Sequence, residues 1–171
     1  MPVAASYPFT RCGGWSLPEL FAVIALVALS LHAALPSWQG WHIRLHTRAA
    51  RDQLMMDLQS AREQARQLAR PLQMQALRGC TWQSPAATDW SCGWQLIDPQ
   101  DQRTLVATPL SHPLQIAFTK SLPLDISERG DLGQVGDRWT VQARSASGST
   151  ALAICLSSAG RLRTLEGSSC S

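Results

Sequence analysis

Lysine is almost absent from this chain of 171 residues: Lys120 is the only one, and the other basic residues are arginines. Charge is scarce overall at 16%, and the formal net charge is only +3, so no dense cationic or acidic tract sets the protein's partners. Catalytic signatures are missing too. There is no G-x-S-x-G elbow, phosphate-cradling loop, H-E-x-x-H or paired catalytic carboxylates, so enzyme classes that rest on them are excluded, and no cofactor is called for. No C-x-x-C spacing occurs, which argues against a cysteine zinc site. No internal repeat or long low-complexity tract exists, which leaves one domain beyond any membrane helix as the default.

What is present is concentrated near the N-terminus. Between Leu20 and Leu35 only Ser30 and His32 are polar. A helix from Trp15 to Pro36 would be about 30 Å long, enough to cross a bilayer's hydrocarbon core. Glu19 stands at the mouth of this segment, where a carboxylate is costly and therefore a functional candidate. Gly13-Gly14 precedes it, and Arg11, the basic residue of the first fourteen, keeps that end cytoplasmic by the positive-inside rule. A cleaved secretory signal fits poorly: Ala33-Ala34-Leu35-Pro36 is a weak cleavage site, and the apolar run is too long.

Gly14-Trp15-Ser16-Leu17-Pro18-Glu19 resembles the class III signal sequence of type IV pilins and pseudopilins. The resemblance implies cleavage by a prepilin peptidase after Gly14, methylation of the new N-terminus at Trp15, and a glutamate at the fifth mature position, Glu19. Cutting after Gly13 would place that glutamate one residue too far. In such proteins the glutamate neutralises the N-terminal amine of a neighbouring subunit when helices stack in a filament. A proline at the place of Pro36 is common there and is expected to kink or locally melt the helix. Pro18 departs from the usual apolar residue, but near a helix start its missing N–H has no partner to lose.

Beyond Pro36, Leu54, Leu58, Ala61, Ala65, Leu68 and Leu72 step by four and three and define one helical face. Arg48, Arg51, Asp52, Arg62, Glu63, Arg66 and Arg70 lie off it and read as a solvated charged face. Pro71 stops the helix, so one helix is expected from Trp15 to about Arg70. Short strand-like runs follow at Leu72–Leu77, Gly93–Asp98, Thr104–Ala107, Leu114–Phe118, Trp139–Ala143 and Ala151–Leu156, with Gly, Pro, Ser and Asp between them. Ser145–Ser149 reads as a flexible hairpin connection. A long helix followed by strands alone predicts an α+β, pilin-like fold, the helix packed on antiparallel sheet. The expected organisation is a leader at 1–14, a transmembrane or filament-core helix at 15–36, an amphipathic continuation at 37–71 and a β head at 72–171.

Cys12 falls in the leader and would be removed. Cys80, Cys92, Cys155 and Cys170 remain, an even number in a non-cytosolic domain, so disulfides are expected. Of the three possible pairings, Cys80–Cys92 with Cys155–Cys170 closes the shortest loops and is favoured. Among the tryptophans, Trp38 and Trp41 suit a membrane–water belt, Trp94 and Trp139 suit a core, and Trp82 and Trp90 suit core or exposed contacts within the first cysteine loop. His42 and His46, one turn apart, read as a solvated pair, since nothing near them in sequence supplies a further metal ligand.

The helix run Ser60-Ala61-Arg62-Glu63-Gln64-Ala65-Arg66, the strand Gly93-Trp94 ending in Asp98, and Ser158-Ala159-Gly160-Arg161-Leu162-Arg163 together resemble the GspH/FimT family of minor pilins and pseudopilins. The resemblance implies other pilin or pseudopilin subunits as partners, a single-pass inner-membrane anchor, and a periplasmic head that passes into a pilus or pseudopilus. Members of the FimT-like branch that bind DNA in natural transformation carry a Gly-Arg-x-Arg motif, which Gly160-Arg161-Leu162-Arg163 fits. On a strand Arg161 and Arg163 would share a face with Leu162 pointing inward, able to straddle backbone phosphates. Two readings stay open: a phosphate contact, or arginines that guard an exposed strand edge. A structural pseudopilin of a type II secretion system is the corresponding alternative for the whole chain.

Overall fold

The computed structural model describes residues 16–133, 136–144, 150–157 and 160–170, with the backbone alone at 31–37 and 39. The chain divides into two units, residues 1–39 and 40–171. Helix α1 (Leu17–Leu68) runs through both. Its start is set by Ser16, whose carbonyl accepts bonds from the N–H groups of Glu19 (3.0 Å) and Leu20 (3.2 Å).

In the first unit the described side chains from Leu17 to Ser30 are exposed, Phe21, Leu26 and Leu29 among them. Among the described residues no helix is long and apolar enough to cross a membrane. The expected span, 15–36, begins at Trp15 and closes at residues 31–36, whose side chains lie outside the description. Helix α1 continues through position 36, so the proline removes one N–H donor without ending it.

In the second unit α1 lays Ala50, Leu54, Leu58, Ala61 and Ala65 into the core. The expected apolar face stops there. Leu68 is 48% exposed, because the helix ends at that residue, and Leu72 is buried as the first residue of β1 (Leu72–Ala76) instead. The helix closes with a Schellman turn: the Arg70 N–H bonds the Ala65 carbonyl and the Ala69 N–H bonds the Arg66 carbonyl, both at 3.2 Å. Ala69 takes the left-handed conformation (φ 49°) that such a turn requires.

Two antiparallel four-stranded sheets follow. The first has the order β3-β2-β1-β5, from β2 (Gly93–Asp98), β3 (Arg103–Pro109) and β5 (Leu124–Ile126). The second has the order β4-β6-β7-β8, from β4 (Leu114–Phe118), β6 (Arg138–Ala143), β7 (Leu152–Leu156) and β8 (Leu162–Glu166). The α+β architecture expected from the sequence, a long helix followed by antiparallel sheet, is the one observed. β5 and β8 were not legible as separate strands: β5 has three residues, and β8 is nearly all exposed, so neither carries a clear apolar alternation.

Trp90, Phe118 and Trp139 form an aromatic centre, with Phe118 stacked on Trp139 at 4.6 Å and Trp90 edge-on to Trp139 at 6.0 Å. Trp90 is therefore core, not an exposed contact. Trp82 is half-buried and donates its indole N–H to the Ser91 carbonyl at 3.0 Å. Disulfides join Cys80 to Cys92 and Cys155 to Cys170. At Gly93 (φ 108°) a Cβ would lie 2.1 Å from the Thr108 carbonyl oxygen, so only glycine lets β2 turn out of the first disulfide and pair with β3. Asp57 ties α1 to that sheet, accepting from the Trp94 indole (2.7 Å) and the Thr108 hydroxyl (2.9 Å).

Candidate nucleic-acid interface

Because β7 lies inside the second sheet, its residues are buried, whereas β8 pairs with β7, and among the described residues no strand pairs with its other edge. The turn between them is closed by the Gly160 N–H on the Ser157 carbonyl, and by the Ser157 N–H on the Arg161 carbonyl, both at 2.9 Å. The Ser157 hydroxyl accepts from the Arg161 N–H at 3.1 Å. Gly160 supplies the left-handed residue of this turn (φ 68°), with open space where a Cβ would stand.

Leu162 packs against the core, so strand alternation sends Arg163 to the opposite face. There Arg163 sits across from Cys155, whose disulfide to Cys170 ties down the C-terminal tail. Arg161 falls in the turn, one residue before β8, so the expected pair on one strand is in fact one turn residue and one strand residue. Both are exposed, and among the described residues no hydrogen bond or ion pair engages either guanidinium. Both heads are therefore free to fork onto a planar or tetrahedral anion.

Half-buried Arg62 positions the turn. Its Nε donates to the Gly130 carbonyl at 2.7 Å and its Nη1 to the Gly160 carbonyl at 3.0 Å. One guanidinium thus joins α1, the loop after β5 and the β7–β8 turn. The sequence pattern puts Arg62 on a solvated face, whereas the fold half-buries it. Its place next to Ala61 and one turn beyond Leu58, at the border of the apolar stripe, was the signal that it reaches over the core edge. Neighbouring Arg66 is spent on Glu63 (2.6 Å), which with Gln67 holds that carboxylate below its ordinary pKa.

The other candidates lie elsewhere. Gly14 and Trp15 fall outside the described residues. Glu19 is exposed in the first turn of α1. His42 and His46 acquire a neighbour that the sequence did not suggest: the His112 ring lies 3.7 Å from that of His46. Among the described residues, no group of three or more His, Cys, Asp or Glu could hold a metal.

The family model described as type II transport protein GspH matches residues 50–169. The chain belongs to this family. GspH-type proteins are minor pilins and pseudopilins, structural subunits that work with other pilin or pseudopilin subunits, not enzymes. The GspH-type chain also resembles the crystal structure of the type IV minor pilin FimU of Pseudomonas aeruginosa, with a TM-score of 0.51 and 22% identity over 75% of this chain and 97% of that one. A second crystal form of FimU superposes with a TM-score of 0.47 and 21% identity, over 72% and 99% of the two chains. The likeness is one of fold. No curated protein matches the sequence.

Proposed function

We propose that this GspH-family subunit is a minor pilin of a type IV pilus, whose head binds DNA without sequence preference during DNA uptake. In this reading a prepilin peptidase cuts after Gly14, Trp15 is methylated, residues 15–36 anchor the chain in the inner membrane, and the head faces the periplasm. Glu19 then neutralises a neighbour's N-terminal amine as helices stack, since a buried carboxylate is tolerable only when paired. The observation that carries the DNA reading is the Gly160 turn. It presents two exposed guanidiniums, Arg161 and Arg163, with no partner among the described residues, beside an open strand edge. A surface meant only to guard an edge needs charge, but not a turn pinned from beneath by Arg62.

Contacts to phosphates alone make binding weak, salt-sensitive and indifferent to sequence, with dissociation constants on the order of micromolar or weaker. The test is a gel-shift titration of the full chain in nonionic detergent with duplex DNA, beside Arg161→Gln/Arg163→Gln. The wild type should shift the DNA at low salt and the double variant should not. An unshifted wild type, or a double variant that binds equally well, favours the second reading: a pseudopilin of a type II secretion system that touches only other pseudopilins. The description of the matching family model supports that second reading.

A further inference from the structure

We propose that the phosphate-binding surface does not stop at Arg163 but crosses the free edge of β8 and continues onto α1 through Arg44 and Arg48. The inference rests on the DNA reading above. Its ground is the course of β8. At one end the Gly160 carbonyl is bonded to Arg62 of α1. At the other end Glu166 lines one cavity with Arg44, Thr47 and Arg48 of α1 and with Thr150. From Arg48 to Arg62 the helix advances about 21 Å at ~1.5 Å per residue. From Gly160 to Glu166 a strand advances about 20 Å at ~3.3 Å per residue. The two lengths agree, so the two ends of β8 meet α1 in antiparallel sense, at points as far apart as the strand is long.

Arg44 and Arg48 are one helical turn apart and share a face. Both are exposed, and among the described residues neither makes an ion pair or hydrogen bond. Of the acids on α1 beyond Arg48, Asp52 pairs with Arg51 (2.7 Å), Asp57 is turned to the first sheet, where it accepts from Trp94 and Thr108, and Glu63 pairs with Arg66 (2.6 Å). Glu166 is the acid that lines the cavity with the two arginines. Arg161 and Arg163 therefore meet a polyanion at the start and outer face of β8, and Arg44 and Arg48 meet it at the far end. A track of about 20 Å covers roughly six phosphates of one strand at ~3.4 Å each, more than two arginines can neutralise.

The experiment is fluorescence anisotropy of the full chain in nonionic detergent with a labelled duplex, repeated across a salt series. Four variants are compared: Arg44→Gln/Arg48→Gln, Arg161→Gln/Arg163→Gln, Glu166→Gln, and the control Arg78→Gln/Arg103→Gln. The control removes two exposed arginines that lie after β1 and on β3. Arg44→Gln/Arg48→Gln should lower the slope of log affinity against log salt by about two and weaken binding at least tenfold at about 50 mM salt. Glu166→Gln should tighten binding, and the control should leave the slope in place. If Arg44→Gln/Arg48→Gln behaves like the control while Arg161→Gln/Arg163→Gln weakens binding, the surface ends at β8: the inference is wrong and the DNA reading stands. A wild type that does not bind overturns both.

Discussion

Arg62→Met removes the fork and keeps most of the stem, so it isolates the two bonds that join α1 to the loops at Gly130 and Gly160. A hydrogen bond from a charged donor contributes roughly 1.5–3 kcal/mol. Arg62 is half-buried, and water can reach part of what its loss exposes, so the pair together should cost about 3 kcal/mol rather than the full sum. For a head the size of unit 40–171, each kcal/mol shifts Tm by about 3–5 °C, which gives a drop of about 10 °C. Arg66→Met is the matched control. It breaks an ion pair with Glu63 whose side chains are 47% and 52% exposed, and because solvent screens such a pair, its loss should leave stability nearly unchanged. Arg62→Lys keeps the charge, but a point donor cannot span both carbonyls, so it should recover only part of the loss. Urea and thermal unfolding of residues 40–171 are the measurements. If Arg62→Met lies within about 0.5 kcal/mol of the wild type, or matches Arg66→Met, the clamp is not what holds the Gly160 turn.

Three further outcomes are expected. Burial, then the neighbouring His112 and then His42 lower the His46 pKa below its ordinary 6.5. Above 6.5 both folded and unfolded states are neutral there, and as pH falls through 6.5 the unfolded chain takes the proton first, so stability declines. NMR titration should show His46 below 6.5, and only partly restored by His112→Gln because burial is the larger cause; an unshifted His46 overturns this. Ala69→Gly should stabilise the head by about 1 kcal/mol in urea unfolding, since a left-handed residue costs alanine roughly 1–2 kcal/mol; destabilisation would mean that the turn at φ 49° is not the native one. Mass spectrometry of membrane-extracted protein should find methyl-Trp15 at the N-terminus, no Cys12, and no free thiol among Cys80, Cys92, Cys155 and Cys170; an intact leader in cells with active prepilin peptidase would sink the processing proposal.

Local signals in the sequence go far for this protein. The step of four and three from Leu54 to Ala65 wrote the buried helix face, and Pro71 its end, because a helix returns to the same side at a fixed interval. Alternation and turn residues wrote β2 and β4 to the residue, and close spacing favoured the two disulfides. These are properties of neighbours in the chain. The tertiary structure decided everything that joins residues far apart. It divided the strands into two sheets, drew Trp90 into the core beside Phe118 and Trp139, and brought His112 against His46. It put Arg161 in a turn rather than on a strand, and it set Arg62 against Gly160, 98 positions away. No local pattern encodes such meetings: which carbonyl an arginine finds depends on where the whole chain lays its loops.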